Sequence, residues 1–426
     1  MNPEDTADTV VLEPVEGTED TATAVPAYPT TPEQLPPLTQ AVSSFNKAKQ
    51  ETNDEVVEST DFVDALYRAF AARTHVYVHG AGGVGKTYGT EITARHFDVP
   101  SFYVQLRPDS KREELFGPLS MRQLQHDVYE HVTLGYMPEA VFVNLDELRD
   151  AGRFLRQMLS ILNERWFVNG NQRIDVPLRT AVGTTNEPID DTETHLEALL
   201  DRFPQRLEQK PIGTSRGFKK ILNDGLSRDV DIANGVDRSQ AYHKVSPVEV
   251  AVITNAVLTC KVDKDIIAHV DDLRKEVKKE LKVPRSPRRW LEGLRNVKAE
   301  AVLNGRDYVT PTDLRILKLM LPNHPDEYKV CNDLCANFRD KTTAAIEEAT
   351  KALEEIRKQL APAKAALDAS QPVDLSALPA VSKMTRELSG KLDEYKSAGA
   401  DAAKIDEVAA AIRVEEQFMQ RAVLGR

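Results

Sequence analysis

Apolar positions along the chain follow two different periods, one typical of strands and one typical of helices. Regular structure is predicted to begin near Asp61, a candidate N-cap, because Phe62, Leu66 and Phe70 follow it at helical spacing. Short apolar runs then alternate with helical patterns, and they cover residues 76–79, 102–106, 141–145 and 180–183. This alternation predicts an α/β fold with a parallel sheet, whose strands present their carboxyl ends at one edge, where a ligand binds.

The second half of the chain is helical in pattern. Apolar residues between about 247 and 321 keep a helical period, which predicts a small α-domain. From 346 to 367 they alternate in steps of three and four, the spacing of a coiled coil, and Pro362 is expected to kink or end that helix. Two further amphipathic segments, at 381–395 and 405–419, complete a predicted helical hairpin or three-helix appendage.

The N-terminal segment differs from the rest in composition. Residues 1 to about 40 are rich in Thr, Pro and Glu, and they hold too few large apolar groups to offset the entropy of ordering, which predicts disorder. Four parts are therefore predicted: a disordered acidic arm at 1–58, an α/β core at 59–215, a linker and helical lid at 216–325, and a C-terminal helical or coiled-coil region at 326–426.

Charge and cysteine content indicate the cellular setting more than the function. The formal net charge is −12, but residues 1–59 hold twelve Asp or Glu against two Lys, so the remainder is nearly neutral and says little about nucleic acid. Cys260, Cys331 and Cys335 are too sparse for a disulfide framework and fit a reducing compartment. Without a basic signal segment or a stretch near the ~20 apolar residues of a membrane span, we expect a cytoplasmic protein.

A glycine-rich motif follows the first predicted strand. The sequence GAGGVGKT at 80–87 matches Gly-x-x-x-x-Gly-Lys-Thr between a strand and a helix, the setting of a P-loop, although a flexible glycine turn is the alternative. In a P-loop, backbone N–H groups surround phosphate oxygens, Lys86 contacts the β- and γ-phosphates, and the Thr87 hydroxyl binds Mg²⁺. The predicted ATP-binding residues are Gly80, Ala81, Gly82, Gly83, Val84, Gly85, Lys86, Thr87 and Tyr88.

Two acidic side chains end a later strand. In VFVNLDEL at 141–148, Asp146 is expected in the metal shell of a Mg²⁺–nucleotide, and Glu147 is expected to orient or deprotonate the attacking water. An ordinary Asp-Glu pair at a strand end is the alternative, although the upstream P-loop argues against it. Asn144 is unusual in a strand buried on both faces, and it needs a hydrogen-bond partner there.

A third polar group follows the next strand. Thr184, Thr185 and Asn186 come directly after the apolar run that ends at Gly183, so a polar side chain at this tip can hold the lytic water or sense the γ-phosphate. Asn186 also begins an Asn-Glu-Pro sequence, which favours a turn whether or not it has a catalytic role.

Several stretches in a fixed order resemble the AAA+ module of the MoxR family, especially its RavA-like branch, over residues 60 to about 322. They are ELFGPLS (114–120), GYMPEAVFVNLDEL (135–148), ILNERWFVNG (161–170), GTTNEP (183–188), ALLDRFPQRL (198–207), SPRRW (286–290) and VLNGRDYVTPTDL (302–314). The resemblance implies an AAA+ P-loop parallel-sheet core, an α-helical lid and ATP hydrolysis with Mg²⁺. The loop departs from the family pattern, because Ala81 and Gly82 stand where prolines are usual.

The same resemblance implies roles for further residues. Asn186 takes the sensor-1 position, Arg202 resembles the arginine finger offered to a neighbouring subunit, and Arg288 resembles the sensor-2 arginine of the lid, with Arg289 as the next candidate. Such a guanidinium is worth ~10³ to 10⁵ in rate, but only where a second subunit completes the site. The alternative for Arg202 is a solvated helical face or a local ion pair, and the alternative for Arg288 is a basic lid surface.

Residues 164–178 are predicted to form a β-hairpin, because Asn169, Gly170 and Asn171 separate two apolar runs. In the family this hairpin precedes sensor 1, and whether it grips a client or packs at the subunit seam stays open.

Three functional hypotheses follow. The first is a homo-oligomeric, hexamer-like ring that uses ATP to remodel a client or adaptor protein, by resemblance often one with a von Willebrand A domain. The second is a nucleic-acid motor, suggested by the hairpin and by the basic segment 278–289, although a lid helix that faces nucleotide explains that segment more simply. The third is a scaffold in which ATP only locks the C-terminal helices, and an intact Glu147 argues against it.

Overall fold

The structure, a computed structural model, describes residues 35–189, 194–236, 241–336, 338, 341–368, 378–397 and 402–424. The strands found in these ranges are β1 (Val76–His79), β2 (Ser101–Gln105), β3 (Phe142–Asp146), β4 (Trp166–Asn169), β5 (Gln172–Asp175), β6 (Thr180–Thr185) and β7 (Gln205–Glu208). Five of them form a parallel sheet in the order β2-β3-β6-β1-β7, which confirms the predicted α/β fold. β4 and β5 form the predicted hairpin, with Phe167 opposite Ile174.

The strand order decides which side chains meet at the carboxyl edge of the sheet. β6 lies between β1 and β3, and the parallel register pairs Val78 with Thr184 and Leu145 with Gly183. The end of β1, from which the glycine-rich loop leaves, therefore lies on one side of the β6 tip, and Asp146 lies on the other. All residues of β1 and β6 are buried, as expected of inner strands of a parallel sheet.

β7 was not predicted, because its sequence is mostly polar and carries no strand period. Its first residues are nonetheless buried, and their polar groups are paired. The Gln205 amide donates to the Ala65 carbonyl at 3.0 Å and accepts from Arg68 at 2.8 Å. Hydrogen bonds therefore stabilise a buried polar strand that an argument from apolar periodicity misses.

The helices before residue 201 in the described ranges are α1 (Leu38–Glu55), α2 (Thr60–Ala72), α3 (Lys86–His96), α4 (Arg112–Phe116), α5 (Met121–Leu124), α6 (Leu155–Leu159) and α7 (Thr194–Leu200). The predicted disordered arm extended to residue 58, but α1 packs Ala41, Phe45 and Ala48 fully into the core. That part of the prediction is wrong, because an apolar stripe at helical spacing outweighs the local excess of acidic residues. Residues 1–34 lie outside the described ranges.

The predicted lid consists of α8 (Ser215–Ala233), α9 (Pro247–Thr259), α10 (Lys264–Leu281), α11 (Pro287–Leu303), a 3₁₀ segment (Pro311–Leu319) and α12 (Tyr328–Ala336). α12 packs on the 3₁₀ segment and buries Cys331 and Cys335, so the lid extends beyond the predicted boundary at residue 325. Helices of the lid share one hydrophobic core with α1 and α2. A partly buried ion pair adds to this contact, since Arg68 Nε lies 2.8 Å from Glu300 Oε2.

The C-terminal helices α13 (Lys341–Asp368), α14 (Leu378–Ser397) and α15 (Ala402–Leu424) pack on each other around their own apolar core. α13 continues through Pro362, so the expectation that proline ends the helix is wrong. Proline leaves the carbonyl group of Lys358 without an N–H donor, and water can solvate that carbonyl because Lys358 is exposed. No helix in the described ranges is both long enough and apolar enough to cross a bilayer.

Candidate active site

The glycine-rich loop connects β1 to α3. Gly83 and Gly85 have positive φ angles of 79° and 87°, a conformation that glycine adopts without strain. Lys86 follows Gly85 at the start of α3. A side chain has no room at Gly80, since a Cβ there would lie 2.2 Å from the Gln209 carbonyl oxygen. The loop therefore ends at a helix N-terminus, whose free N–H groups attract phosphate oxygens.

Lys86 is 6% exposed, and its ammonium group is held inside the loop. Nζ donates to the carbonyl oxygens of Gly80 at 2.6 Å and Ala81 at 3.1 Å, and to Asn186 Oδ1 at 3.2 Å. Burial lowers the pKa of Lys86 from its ordinary value, and the two carboxylates at the end of β3 counteract this shift. The structure thus brings the loop lysine, the β3 carboxylates and the predicted sensor residue together.

Asp146 is surrounded by hydroxyl groups. Its Oδ2 accepts hydrogen bonds from Thr87 Oγ1 at 3.4 Å and from Tyr103 OH at 3.3 Å, and its Oδ1 accepts one from Thr184 Oγ1. Mg²⁺ commonly uses one or two protein oxygens while phosphate and water supply the others, so Thr87 and Asp146 fit a Mg²⁺–nucleotide. In the described ranges no group of three or more His, Cys, Asp or Glu side chains is arranged to hold a metal by itself.

Glu147 is fixed in both backbone and side chain. Its φ angle is 54°, in the left-handed region that non-glycine residues seldom occupy, as at many functional sites. Its Oε1 accepts a hydrogen bond from Asn186 Nδ2 at 2.5 Å. Burial, followed by the nearby charge of Asp146, raises the pKa of Glu147. An oriented carboxylate with increased proton affinity suits a general base.

The remaining loop and strand predictions have mixed outcomes. Gly82 lies close to the sensor residue, since a Cβ there would be 3.9 Å from Asn186 Oδ1. Tyr88 donates its hydroxyl to Glu55 Oε2 at 2.8 Å, and its contact with nucleotide stays a prediction. Asn144 is 4% exposed, and its amide has no hydrogen-bond partner among the described residues, although one was expected. Tyr103 was not predicted, because its role depends on the β2–β3 register rather than on a motif.

Arg202 lies apart from this network. Its Nη1 donates to the Ala198 carbonyl at 2.9 Å and lies 3.8 Å from Asp201 Oδ2. Burial and the neighbouring Arg288 guanidinium lower its pKa. No hydrogen bond or ion pair joins Arg202 to Asp146 or Glu147 in the described part of the chain. The predicted arginine finger is therefore not paired with the acidic side chains of its own site.

The two sensor-2 candidates have different environments at the same corner. Arg289 is 5% exposed, donates to Asn323 Oδ1 and lies 3.8 Å from Asp201 Oδ1. Arg288 is half-buried and forms no hydrogen bond or ion pair with any described residue. Of the two arginines, Arg288 is therefore the one whose guanidinium group is free of such partners in the described ranges. Its role as the sensor-2 residue stays a prediction.

The basic segment at 278–289 does not form a continuous charged surface. Arg285 is 7% exposed, its Nη2 lies 2.5 Å from Glu327 Oε2, and its Nε donates to the Leu321 carbonyl. Arg289 is also internal. Two cations of the segment therefore hold the lid together, which weakens the argument for nucleic-acid binding.

A groove of about 610 Å³ lies beside the glycine-rich loop, and no sequence motif predicted it. The start of α2, the end of β7 and the lid form its walls, the first two through residues 58–62 and 206–210 and the lid through Lys318, Leu319, Tyr328 and Asn332. Tyr328 OH lies 2.9 Å from Nε2 of His79, the residue before Gly80, so the groove reaches the start of the loop. Three separated segments form it, which is why sequence patterns missed it.

A phosphate-loop strand, a neighbouring strand that ends in polar residues, an acidic strand beyond it and a helical lid together define an AAA+ module. A family model described as the MoxR domain in MoxR–vWA–β-propeller ternary systems matches residues 43–250, and an AAA lid domain model matches 265–335. The chain belongs to the MoxR family of AAA+ proteins.

The chain is also similar to individual proteins and to a solved structure. The uncharacterised protein MJ0812 of Methanocaldococcus jannaschii is 30% identical over 295 residues, which are 67% of this chain and 74% of that protein. The uncharacterised protein MJ0079 of the same organism is 24% identical over 326 residues, 76% of this chain and 82% of that one. A crystal structure of a candidate ATPase from Cytophaga hutchinsonii superposes with a TM-score of 0.55 at 16% identity, covering 71% of this chain and 94% of its own, and thereby supports the fold.

Proposed function

We propose that this chain hydrolyses ATP with Mg²⁺ as part of a homo-oligomeric, hexamer-like ring that remodels a client protein. One continuous set of hydrogen bonds carries the proposal. Lys86 contacts Asn186, Asn186 contacts Glu147, the Glu147 N–H donates to Asp146 Oδ1 at 3.1 Å, and Asp146 contacts Thr87. A protein that only binds nucleotide has no need of an oriented carboxylate at this position, and this is the argument for turnover.

Each member of the set has a step to perform. The loop backbone and Lys86 hold the β- and γ-phosphates, and Thr87 with Asp146 would hold Mg²⁺, which neutralises charge that develops on the phosphate oxygens. Glu147 accepts a proton from the water that attacks the γ-phosphorus, and the bond from that phosphorus to the β–γ bridging oxygen breaks, giving ADP and phosphate. Asn186 keeps the Glu147 carboxylate oriented during this transfer. The groove beside the loop is suited to the nucleoside part of ATP.

This proposal needs a second copy because Arg202 contacts Ala198 and Asp201 of its own chain rather than the phosphate loop. Arg202 lies 3.8 Å from Asp201 and near the Arg288 guanidinium, with no hydrogen bond to Asp146 or Glu147 among the described residues. An arginine supplied by a neighbour is an established way to stabilise the phosphoryl transition state, and it makes hydrolysis depend on assembly. The ring and the two arginine roles are therefore proposed together.

The partner class follows from the family model and remains a proposal for this chain. The model that matches residues 43–250 is described for systems that combine MoxR, vWA and β-propeller components. We therefore propose a client or adaptor protein with a von Willebrand A domain, and the RavA-like branch stays a prediction. We also propose a cytoplasmic location, since the three cysteines are free and buried.

The proposal is tested by comparing the wild type with Glu147→Gln in a steady-state ATPase assay at several pH values. The substitution keeps size and hydrogen bonding but removes the base, so turnover should fall by about 10² to 10⁴ while ATP affinity is retained. Because the pKa of Glu147 is raised, wild-type turnover should decline as pH falls through that pKa, and this acidic limb should be absent from the residual activity of the variant.

A neighbouring carboxylate supplies the matched control. Glu187 is 77% exposed and is paired only loosely with Arg149 at 3.5 Å, so Glu187→Gln should leave turnover within about twofold of wild type. Equal, slow hydrolysis by wild type and Glu147→Gln would favour the scaffold hypothesis. If turnover is confirmed, Glu147→Gln with ATP is also the bait for capturing a vWA-domain partner.

A further inference from the structure

α8 presents apolar side chains to solvent along most of its length. Five of them are between 41% and 66% exposed and recur at steps of one, three or four residues, which puts them on one face of the helix. These residues, the apolar stripe, are Phe218, Ile221, Leu222, Leu226 and Val230. Gly217 is the residue of α8 that is buried. α8 therefore contributes little to the apolar core of the described chain.

The polar face of α8 is the one that contacts the protein. At its N-terminus Thr214 donates to Glu58, and further along Lys220 donates to the Asp54 carbonyl. Arg228 Nη2 lies 2.7 Å from Glu55 Oε2. An ordinary amphipathic surface helix buries its apolar face and exposes its polar one, and this helix does the reverse. An apolar row of this extent on a folded domain marks an interaction surface.

The contacts of α8 also fix its position relative to the ATP site. The Arg228 guanidinium lies 4.6 Å from the ring centroid of Tyr88, and Tyr88 directly follows Thr87 in α3. The helix is therefore anchored beside the first turn of α3, with its apolar stripe directed away from the chain. Glu58, which accepts the hydrogen bond from Thr214 at the start of α8, also lines the groove beside the phosphate loop. The stripe therefore flanks the ATP site that, in the proposed function, a second copy completes.

We propose that the apolar stripe of one copy packs against a second copy of this chain, on the face that carries Arg202 and Arg288. The inference rests on the proposed function, because the incomplete ATP site is what requires another copy on the α8 side. Beside the proposed contact on the second copy, Leu291, three residues after Arg288 in α11, is 55% exposed and offers an apolar side chain. Two different surfaces meet in this arrangement, and a repeated contact of that kind gives a ring when the rotation between copies closes.

The first test compares two double variants by sedimentation velocity, each in a Glu147→Gln background with ATP and Mg²⁺ so that nucleotide stays bound. Leu222→Glu with Leu226→Glu places two charges on the apolar stripe and should raise the concentration for half-assembly at least about tenfold. Arg216→Gln with Asn223→Glu changes the net charge by the same amount at two exposed positions of α8 outside the stripe and should change that concentration less than about threefold. Both variants should bind ATP as tightly as the parent, since the stripe residues are exposed in the single chain.

The second test identifies the surface that covers the stripe in purified protein. Cys260, Cys331 and Cys335 are buried, so Leu226→Cys gives one accessible thiol in the described ranges for a maleimide photocross-linker. The expected product is a cross-link between two chains, from residue 226 to the region of Arg202 or Leu291, and it should require ATP. A cross-link within one chain, or from α8 to α8, would overturn the proposal.

The outcomes separate this inference from the function on which it rests. A wild-type chain that assembles with ATP, together with a stripe variant that assembles equally well, removes α8 from the interface but leaves the ring intact. A wild-type chain that stays monomeric while hydrolysing ATP at full rate contradicts the proposed ring and the α8 interface together. Loss of assembly in the stripe variant alone, with the predicted cross-link, supports both.

Discussion

The two halves of the proposed ATP site are built on different principles. Lys86, Thr87, Asp146, Glu147 and Asn186 are joined by direct hydrogen bonds within one chain. The arginines are instead held at another corner, where Asp201 lies 3.8 Å from both Arg202 and Arg289. The first group is assembled within a single chain. In the second group, Arg289 is bound to Asn323 of its own chain, whereas Arg202 is proposed to act on a neighbouring copy.

This difference indicates where control of the reaction resides. Binding and orienting nucleotide requires the preformed half alone, whereas stabilising the transition state requires a guanidinium from another copy. In the proposed ring, nucleotide would therefore bind a single chain without being hydrolysed. Assembly would then be the step that starts turnover, and a partner that favours or opposes the contact between copies would regulate hydrolysis.

The division of the site into two halves is tested most directly by removing one half in one variant and the other half in a second variant. Glu147→Gln and Arg202→Ala should each lower turnover by about 10³. In a randomly mixed ring of the two variants, about a quarter of the seams combine an intact Glu147 with an intact Arg202 from the next copy. ATPase activity of the mixture should therefore rise far above that of either variant alone.

The double variant provides the control for this experiment. A chain with both Glu147→Gln and Arg202→Ala should give no recovery when it is mixed with either single variant. In such a mixture every seam lacks Glu147, or every seam lacks Arg202. If mixed rings form and activity stays at the level of the single variants, Arg202 acts within its own copy or not at all, and the division into two halves is wrong.

The same division explains how much could be predicted from the sequence. Lys86, Asp146 and Asn186 each follow a predicted strand, and a parallel sheet brings such strand ends to one edge, so their proximity was predictable. The burial of Arg289 depends on Asp201 and Asn323, which come from distant segments and give no local signal. In α8 the period predicts an amphipathic helix but not which face turns inward, because that depends on Glu55 and Tyr88.

Arg288 and Arg289 differ in their contacts. Arg288 has no hydrogen bond or ion pair with a described residue, whereas Arg289 is buried and donates to Asn323. Arg288→Ala should lower turnover by at least about tenfold with little change in stability, because it removes a cation that no described residue needs. Arg289→Ala should instead reduce the free energy of unfolding by about 3 kcal/mol, because it leaves Asp201 and Asn323 without their buried partner.

Both variants are compared in ATPase assays and in urea denaturation, with Lys279→Ala as the control. The Lys279 side chain is 81% exposed on α10, so its removal should affect neither measurement. A stable, inactive Arg289→Ala together with an active Arg288→Ala would exchange the two assignments and make Arg289 the sensor-2 residue.

The smallest predicted effect concerns Glu292, which lies on α11 at the arginine corner. Burial raises the pKa of Glu292 to about 7, although Arg295 and Arg288 act to lower it, and its Oε2 has no hydrogen-bond partner among the described residues. A folded pKa above the unfolded value of about 4.3 means that this carboxyl stabilises the fold at low pH and that the stabilisation is lost as pH rises toward 7. Without screening, a pKa rise from about 4.3 to about 7 corresponds to roughly 3.7 kcal/mol. Because Glu292 is partly exposed and solvent screens it, Glu292→Gln, which keeps the neutral form, should raise the free energy of unfolding by less, roughly 1–2 kcal/mol at pH 8, and by almost nothing near pH 4.

Trp290, two residues before Glu292, can report this effect locally. The chain has two tryptophans, so a Trp166→Phe background leaves Trp290 as the fluorescent probe of α11 during urea denaturation. The gain from Glu292→Gln should grow between pH 4 and pH 7 and then level off, because the unfolded carboxyl ionises first and the folded one follows. If Glu292→Gln raised the free energy of unfolding equally at pH 4 and pH 8, the substitution would act through packing rather than through the protonation of Glu292. In that case the cations of the arginine corner screen this carboxylate more strongly than burial penalises it.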